Sequence, residues 1–259
     1  MNIQAPSIYL KYRYSIGMPL SKRGRRTRRL RYRKRLSNRY RRKFPGRHRG
    51  GASIPKQVIQ TAKEPLPEKD TVQLKQYLGG SEYTFFSDED AMKFMTENPI
   101  PEFPESVAKF KAIRAGPHKA DFFRYYYIYL RGGVFIDGDL MLYENIDTIL
   151  GTSSFVSVWA LRPADSAFNG FLAATPKHPI VHAALKDMYE MEIGVLVADY
   201  TIVCKHLGDI IRANPAPDVK MLREISNNDV FCKIEDPVSK KIVMIHYQSM
   251  AIPDKATVP

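Results

Sequence analysis

Apolar positions fall into short runs with two different periods, separated by charged and turn-forming segments. Residues 55–61, PKQVIQT, read as a short strand entered through a proline and followed by a Pro-rich loop as far as Pro67. Residues 83–86, YTFF, are a second strand. Ser87-Asp88-Glu89-Asp90 then supply a cap and an acidic first turn for a helix reaching about Glu97. Residues 106–113 predict a short helix, and residues 118–130 a largely buried one stopped by Gly132-Gly133. Residues 134–136, VFI, are a buried strand that ends in Asp137-Gly138-Asp139. Further on, residues 155–159 and 242–246 predict strands, and residues 178–191 and 198–213 amphipathic helices. Strands alternating with helices predict an α/β domain with a mainly parallel sheet over residues 53–259.

Charge divides the chain differently. The formal net charge is +13 over 259 residues, but residues 1–50 hold 18 of the 40 Lys and Arg and none of the 27 Asp and Glu. The remainder, with 22 basic and 27 acidic groups, is mildly acidic. The basic character therefore belongs to an arm, residues 1–52, with too little apolar area to offset ordering entropy; it is expected to be disordered in isolation. Residues 11–49 suit contact with a polyanion, either nucleic acid or an anionic membrane, or serve as a targeting or solubility tail. The two cysteines, Cys204 and Cys232, form no CxxC pair and read as reduced core thiols. No apolar run approaches the ~18–20 residues of a membrane helix, and the N-terminus shows no signal-peptide core. A cytoplasmic or peripherally membrane-associated location is the expectation.

The chemistry concentrates in residues 119–139, KADFFRYYYIYLRGGVFIDGD. Asp121 and Arg124 lie three apart on one helix face, inside a segment where unpaired polar groups would be costly to bury. The Gly pair stops the helix sharply and lets the next strand pack closely. Asp137 and Asp139 follow an apolar strand, and positions i and i+2 of extended backbone point to one side. Ligands of open α/β sheets bind beyond the carboxyl ends of the strands. Two hard oxygen donors there suit Mn²⁺ or Mg²⁺ with help from substrate phosphates.

These residues resemble a known family. The pattern Arg-Tyr, a later Tyr, Gly-Gly, an apolar strand and Asp-x-Asp is similar to the glycosyltransferases with the sugar-binding DXD region. That group includes the fungal α-mannosyltransferases of glycosyltransferase family 32, and the glucosylating clostridial toxins share its core. The resemblance opens at Ile54-Pro55-Lys56, passes through Phe86-Ser87-Asp88-Glu89-Asp90, and is strongest over residues 112–147. It continues through Phe168-Asn169-Gly170-Phe171 and Lys177-His178-Pro179 and ends at Ile245-His246, covering none of the arm.

The resemblance implies a GT-A-like nucleotide-diphospho-sugar transferase fold with a Rossmann-like sheet. It implies Asp137 and Asp139 as the pair that holds the metal and, through it, the donor diphosphate. Asp121 and Arg124 match helix residues that contact donor sugar and phosphate, and Phe135 an aromatic beside the ribose. Gln60 and Thr61 fall where the first strand meets the nucleotide, and Asn169 matches an Asn near the donor sugar. His246 matches a C-terminal His near the metal, although here it is followed by Tyr247-Gln248-Ser249-Met250 without the Trp of the family pattern. The implied reaction moves a hexose from a UDP- or GDP-sugar to a hydroxyl of a glycan, lipid or protein acceptor, with retention. The same acids would also serve a metal-dependent nucleotidyltransferase or nuclease, and the arm alone a nucleic-acid-binding protein.

Overall fold

The computed structural model describes residues 53–65, 67–227 and 231–247. The basic arm, and with it the expected disorder of residues 1–52, lies outside them. The described chain is built around one nine-stranded sheet. In chain order its elements are β1 (Gln57–Thr61), α1 (Glu68–Gln76), β2 (Glu82–Phe86), α2 (Asp88–Glu97), α3 (Ser106–Ala112), α4 (Gly116–Arg131), β3 (Gly133–Ile136) and β4 (Leu140–Leu142). There follow α5 (Ile146–Leu150), β5 (Phe155–Trp159), β6 (Ala167–Ala174), α6 (Pro179–Glu190), α7 (Ile193–Ala198), α8 (Ile202–Ala213), β7 (Val219–Asn227), β8 (Phe231–Glu235) and β9 (Ile242–Tyr247).

The strand order is β2-β1-β3-β6-β5-β7-β8-β9-β4. The chain is α/β, as expected, and its sheet is mixed. Parallel pairing holds where helices make the crossovers, in β2-β1-β3 and in β5-β7. The other interfaces are antiparallel, because β6 returns directly beside β5, and β7, β8 and β9 run as a meander.

Local chemistry explains the elements nearest the site. Ser87 caps α2 in a capping box: its hydroxyl accepts from Asp90 N, and the Asp90 carboxylate accepts from Ser87 N. Helix α4 starts two residues before the sequence predicts, with Pro117 in its first turn. It ends at Gly132, whose φ is 69°, and Gly133 follows at 100°. A Cβ on Gly133 would lie 2.5 Å from Gln57 Cγ, so the glycine lets β3 lie tightly against β1. Lys56, just before β1, bonds Asp147 at 2.7 Å and so ties the sheet to α5.

Strand β3 is buried on both faces, which accounts for its unbroken apolar run. Phe135 points into a core shared with Phe122, Phe123 and Ile128 of α4, Leu185 of α6 and Leu207 of α8. Val134 and Ile136 point the other way, onto Leu74, Ile146 and Ile149. The helix predicted over 198–213 starts at Ile202; Ala198 ends a separate short helix, α7, and Asp199 between them accepts from Thr201 N. Cys204 and Cys232 form no disulfide, as expected. No helix among the described residues is long and apolar enough to cross a membrane.

Candidate active site

Four elements converge beyond the carboxyl end of β3. Helix α4 brings Asp121 and Arg124, the β3–β4 turn brings Asp137 and Asp139, β6 brings Asn169, and β9 brings His246. Arg124 is 2% exposed. Its Nη2 lies 3.1 Å from Asp137 Oδ1 and 3.4 Å from Asp121 Oδ1. Nη1 donates to the Asn169 carbonyl and Nε to the Ala120 carbonyl. The guanidinium sits 3.9 Å above the centre of the Phe135 ring. Burial disfavours the guanidinium charge, but Asp137 and Asp121 outweigh it and hold the pKa above the ordinary value.

Asp121 is the second hub. Its Oδ1 accepts from Asn169 Nδ2 at 3.1 Å, and its Oδ2 lies 3.3 Å from His118 Nδ1. His118 Nε2 in turn faces the Leu196 carbonyl at 3.2 Å, which anchors α7 beside the site. Because a carboxylate only accepts, the Asn169 amide must turn its nitrogen to Asp121 and its oxygen away. That oxygen accepts from the buried Tyr125 hydroxyl at 2.7 Å.

The two acids of the turn differ in environment. Burial raises Asp137, Arg124 opposes it, and Asp139 and Asp121 add to the rise, leaving it up at about 6. Asp139 is 8% exposed, and its Oδ1 is buried with no hydrogen-bond partner. Its Oδ2 lies 3.6 Å from His246 Nε2, and Glu224 Oε1 lies 3.6 Å from His246 Nδ1. Burial favours the neutral ring, but Asp139 and Glu224 outweigh it and push His246 up to about 9. No group of three or more His, Cys, Asp or Glu among the described residues is arranged to hold an ion, so Asp137, Asp139 and His246 are not a ready-made three-ligand set. An orphaned buried carboxylate oxygen on Asp139 beside the Asp137 carboxylate does fit a hard divalent cation.

Strand β6 completes the site through three consecutive residues. Phe168 lies against the His246 ring, centroids 4.4 Å apart. Asn169 bonds Asp121, and Gly170 leaves room for Asp137: a Cβ there would be 2.2 Å from the Phe168 ring and 2.8 Å from Asp137 Oδ2. Of the remaining expected residues, Phe135 is fully buried and carries the guanidinium on its ring, so it offers no ring face of its own. Gln60 is also buried, its amide accepting from Tyr83 Oη at 2.9 Å and donating to the Asp137 carbonyl at 3.4 Å. The Thr61 hydroxyl is buried without a partner. Glu224, His118, Tyr125 and Phe168 belong to the same constellation and were not marked as site residues by the sequence. Phe168 and Tyr125 stood inside the quoted motif segments, whereas Glu224 gave no signal at all.

Comparison with known proteins gives this geometry a setting. Residues 56–156 match the family described as glycosyltransferase sugar-binding region containing DXD motif. An uncharacterized glycosyltransferase of Acanthamoeba polyphaga mimivirus is 28% identical over 111 residues, covering 42% of this chain and 43% of the relative. Inositol phosphoceramide mannosyltransferase 1 of Schizosaccharomyces pombe is 30% identical over 115 residues, 42% of this chain and 32% of its own. The initiation-specific alpha-1,6-mannosyltransferase of Saccharomyces cerevisiae is 33% identical over 106 residues, 38% of this chain and 22% of its own. Each match thus spans less than half of the relative. Among solved structures, PaToxG glycosyltransferase covers 73% of this chain and 76% of its own at 17% identity and a TM-score of 0.43. Residues 56–156, from the lysine that ties down β1 through the Asp137-Gly138-Asp139 turn to β5, are therefore similar to the sugar-binding region with the DXD motif of glycosyltransferases.

Proposed function

We propose that the chain transfers a hexose from a UDP- or GDP-sugar to an acceptor hydroxyl on a glycan, lipid or protein, with retention at the anomeric carbon. The observation that carries this reading is the buried Asp121–Arg124–Asp137–Asn169 network beside an unpartnered Asp139 carboxylate oxygen, at the sheet end where α/β folds bind ligands. Two of the relatives are named mannosyltransferases, which makes mannose the first hexose to test.

Asp137 and Asp139 are the residues that would hold Mn²⁺ or Mg²⁺. Such an ion, when bound, offsets the negative charge that develops on a departing diphosphate. Arg124 acts chiefly through its charge, since four of its five N–H donors face Asp137, Asp121 and two carbonyls. It cancels part of the repulsion that two neighbouring carboxylates would otherwise present to a diphosphate. Asp121 and Asn169, locked to each other, offer a fixed pattern of acceptor and donor to sugar hydroxyls, a positioning role. The Thr61 hydroxyl, buried and unpartnered at the end of β1, is the group there that can bond a nucleotide. Residues 53–259 form the transferase domain, and residues 1–52 are a separate arm that binds a polyanion by charge.

The test is a panel of sugar nucleotides incubated with the full chain and Mn²⁺ or Mg²⁺, read by release of nucleoside diphosphate. Release of UDP or GDP from one class of donor supports the reading. Release of pyrophosphate or cleavage of nucleic acid instead would replace it with nucleotidyl transfer or nuclease chemistry.

A further inference from the structure

Glu224 lies in β7, outside every motif that marked the site, yet its side chain is only 7% exposed. Its two oxygens have different partners. Oε1 lies 3.6 Å from His246 Nδ1, and Oε2 accepts from the Leu161 backbone N–H at 2.7 Å. The β7–β8 register shifts between Glu224 and Ser226, an irregularity of the kind that re-aims a strand side chain. The His246 ring is met on its other sides as well: Asp139 Oδ2 lies 3.6 Å from Nε2, and Phe168 covers a face with the rings 33° apart. Phe168 fixes the plane of the ring but cannot tell one nitrogen from the other. A carboxylate facing Nδ1 adds that constraint, because the partner of one imidazole nitrogen sets the direction in which the other points.

We propose that Glu224 is a positioning residue for the transfer reaction, holding the His246 imidazole through Nδ1 so that Nε2 is presented to Asp139. Through Leu161 N it also ties the segment between β5 and β6 to the same histidine, so that the chain around Leu161 and the Asp139 turn keep a fixed relation. Asp139 has one oxygen without a protein partner and the other facing His246, so the orientation of this ring decides how the carboxylate is held. The kinetic half of the proposal rests on the transferase reading above; the orientation half does not.

The experiment uses the full chain labelled with ¹⁵N-histidine, compared with Glu224→Gln. The chain has six histidines, and the His246 signals are those lost in His246→Gln. In Glu224→Gln the His246 imidazole nitrogens are expected to shift while the other histidines hold. Donor hydrolysis should lose about tenfold to a hundredfold in kcat, with KM within about twofold. Glu224→Asp, which keeps the charge, should recover part of the kcat. If Glu224→Gln does not fold, Glu224→Asp stands in for it, with a smaller shift of the same resonances expected. Unchanged His246 resonances overturn the proposal, as does an unchanged kcat in a chain whose wild type hydrolyses a donor. If the wild type hydrolyses no donor, the transferase reading fails and the His246 resonances alone decide the orientation, a shift supporting it and none overturning it.

Discussion

Arg124 Nη2 and Asp137 Oδ1 lie 3.1 Å apart, joining the middle of α4 to the turn that follows β3. The pair turns two motifs separated in sequence into one charged unit. Asp137 is held up at about 6 by burial even with Arg124 beside it, so the guanidinium is what keeps a buried acidic turn tolerable. A positive charge of this kind, directed at the protein rather than at a ligand, prepares the site before any ligand arrives.

Asp139→Asn tests the acidic turn directly. Its Oδ1 has no protein partner, so the change removes a ligand oxygen and little packing. Donor hydrolysis should fall by more than about a hundredfold while the chain stays folded, with a melting loss confined to the lost pairing with His246. EDTA should reproduce the loss in the parent chain and Mn²⁺ reverse it. Binding of Mn²⁺, followed through the resonance of the free aqueous ion, should weaken in parallel. Full activity of the variant in EDTA would remove the turn from the chemistry.

Asp121→Ala separates site from scaffold. Arg124 retains Asp137 and the Asn169 carbonyl in this variant, so it is not left as an isolated buried charge. The stability loss should sit at or below the low end of the ~3–5 kcal/mol typical of a broken buried pair. Turnover should drop far more, because the acceptor that orients Asn169 is gone. Melts and hydrolysis rates on one preparation decide, and a large melting loss with wild-type turnover per folded molecule would make the pair a structural one.

How much of this could be seen in the sequence follows from where the partners lie. The α4–β3–turn segment carries its own periodicity, its Gly stop and its two acids within about two dozen residues, so local rules suffice for it. β7 carried no such signal. Lys220, Arg223 and Glu224 break its apolar pattern, and each is balanced by a group brought in by the fold: Asp236 just past β8 at 2.9 Å, Glu235 on β8 at 2.8 Å and His246 on β9 at 3.6 Å. A pairing across strands cannot be read along one strand. The same reason hid Glu224, and it hid the work of Phe168-Asn169-Gly170, whose three contacts are all to residues distant in sequence. The mixed pairing of the sheet has the same origin: β4, β6 and β8 take their direction from tertiary neighbours rather than from their own pattern.

Tyr125→Phe isolates one hydrogen bond. Packing is unchanged, but the Asn169 amide oxygen loses the donor 2.7 Å away. A buried acceptor left unsatisfied costs about 1–3 kcal/mol, so the melting temperature should fall measurably. Turnover should fall as well, since the Asn169 amide then lacks its anchor opposite Asp121. A drop in stability with kcat and KM both unchanged would confine Tyr125 to the core.

His246 gives a pH signature. Its folded pKa, up at about 9, exceeds the ordinary 6.5, so protonation favours the folded chain. This contribution is fully present below about pH 6.5 and is lost as pH rises through about 9. The melting difference between wild type and His246→Gln should therefore be largest near pH 6 and shrink toward pH 9.5. A constant difference over that range would mean the ring is not the cation its two carboxylates imply.

Removing residues 1–52 tests whether the arm and residues 53–259 are separate. Strand β1 starts at Gln57 with its lysine anchor at Lys56, so the cut falls ahead of the first element of the sheet. Metal-dependent donor hydrolysis should be nearly unchanged. Binding to anionic vesicles or nucleic acid should be lost with the 18 basic groups of residues 1–50. In the full chain that binding should weaken steeply with salt, because neutralising phosphates releases condensed counterions. Titrations at two salt concentrations, on vesicles of anionic and of neutral lipid and on single-stranded nucleic acid, provide the readout. Loss of donor hydrolysis on truncation would place the arm in the catalytic fold, whereas polyanion binding indifferent to salt would mean that something other than its charge makes the contact.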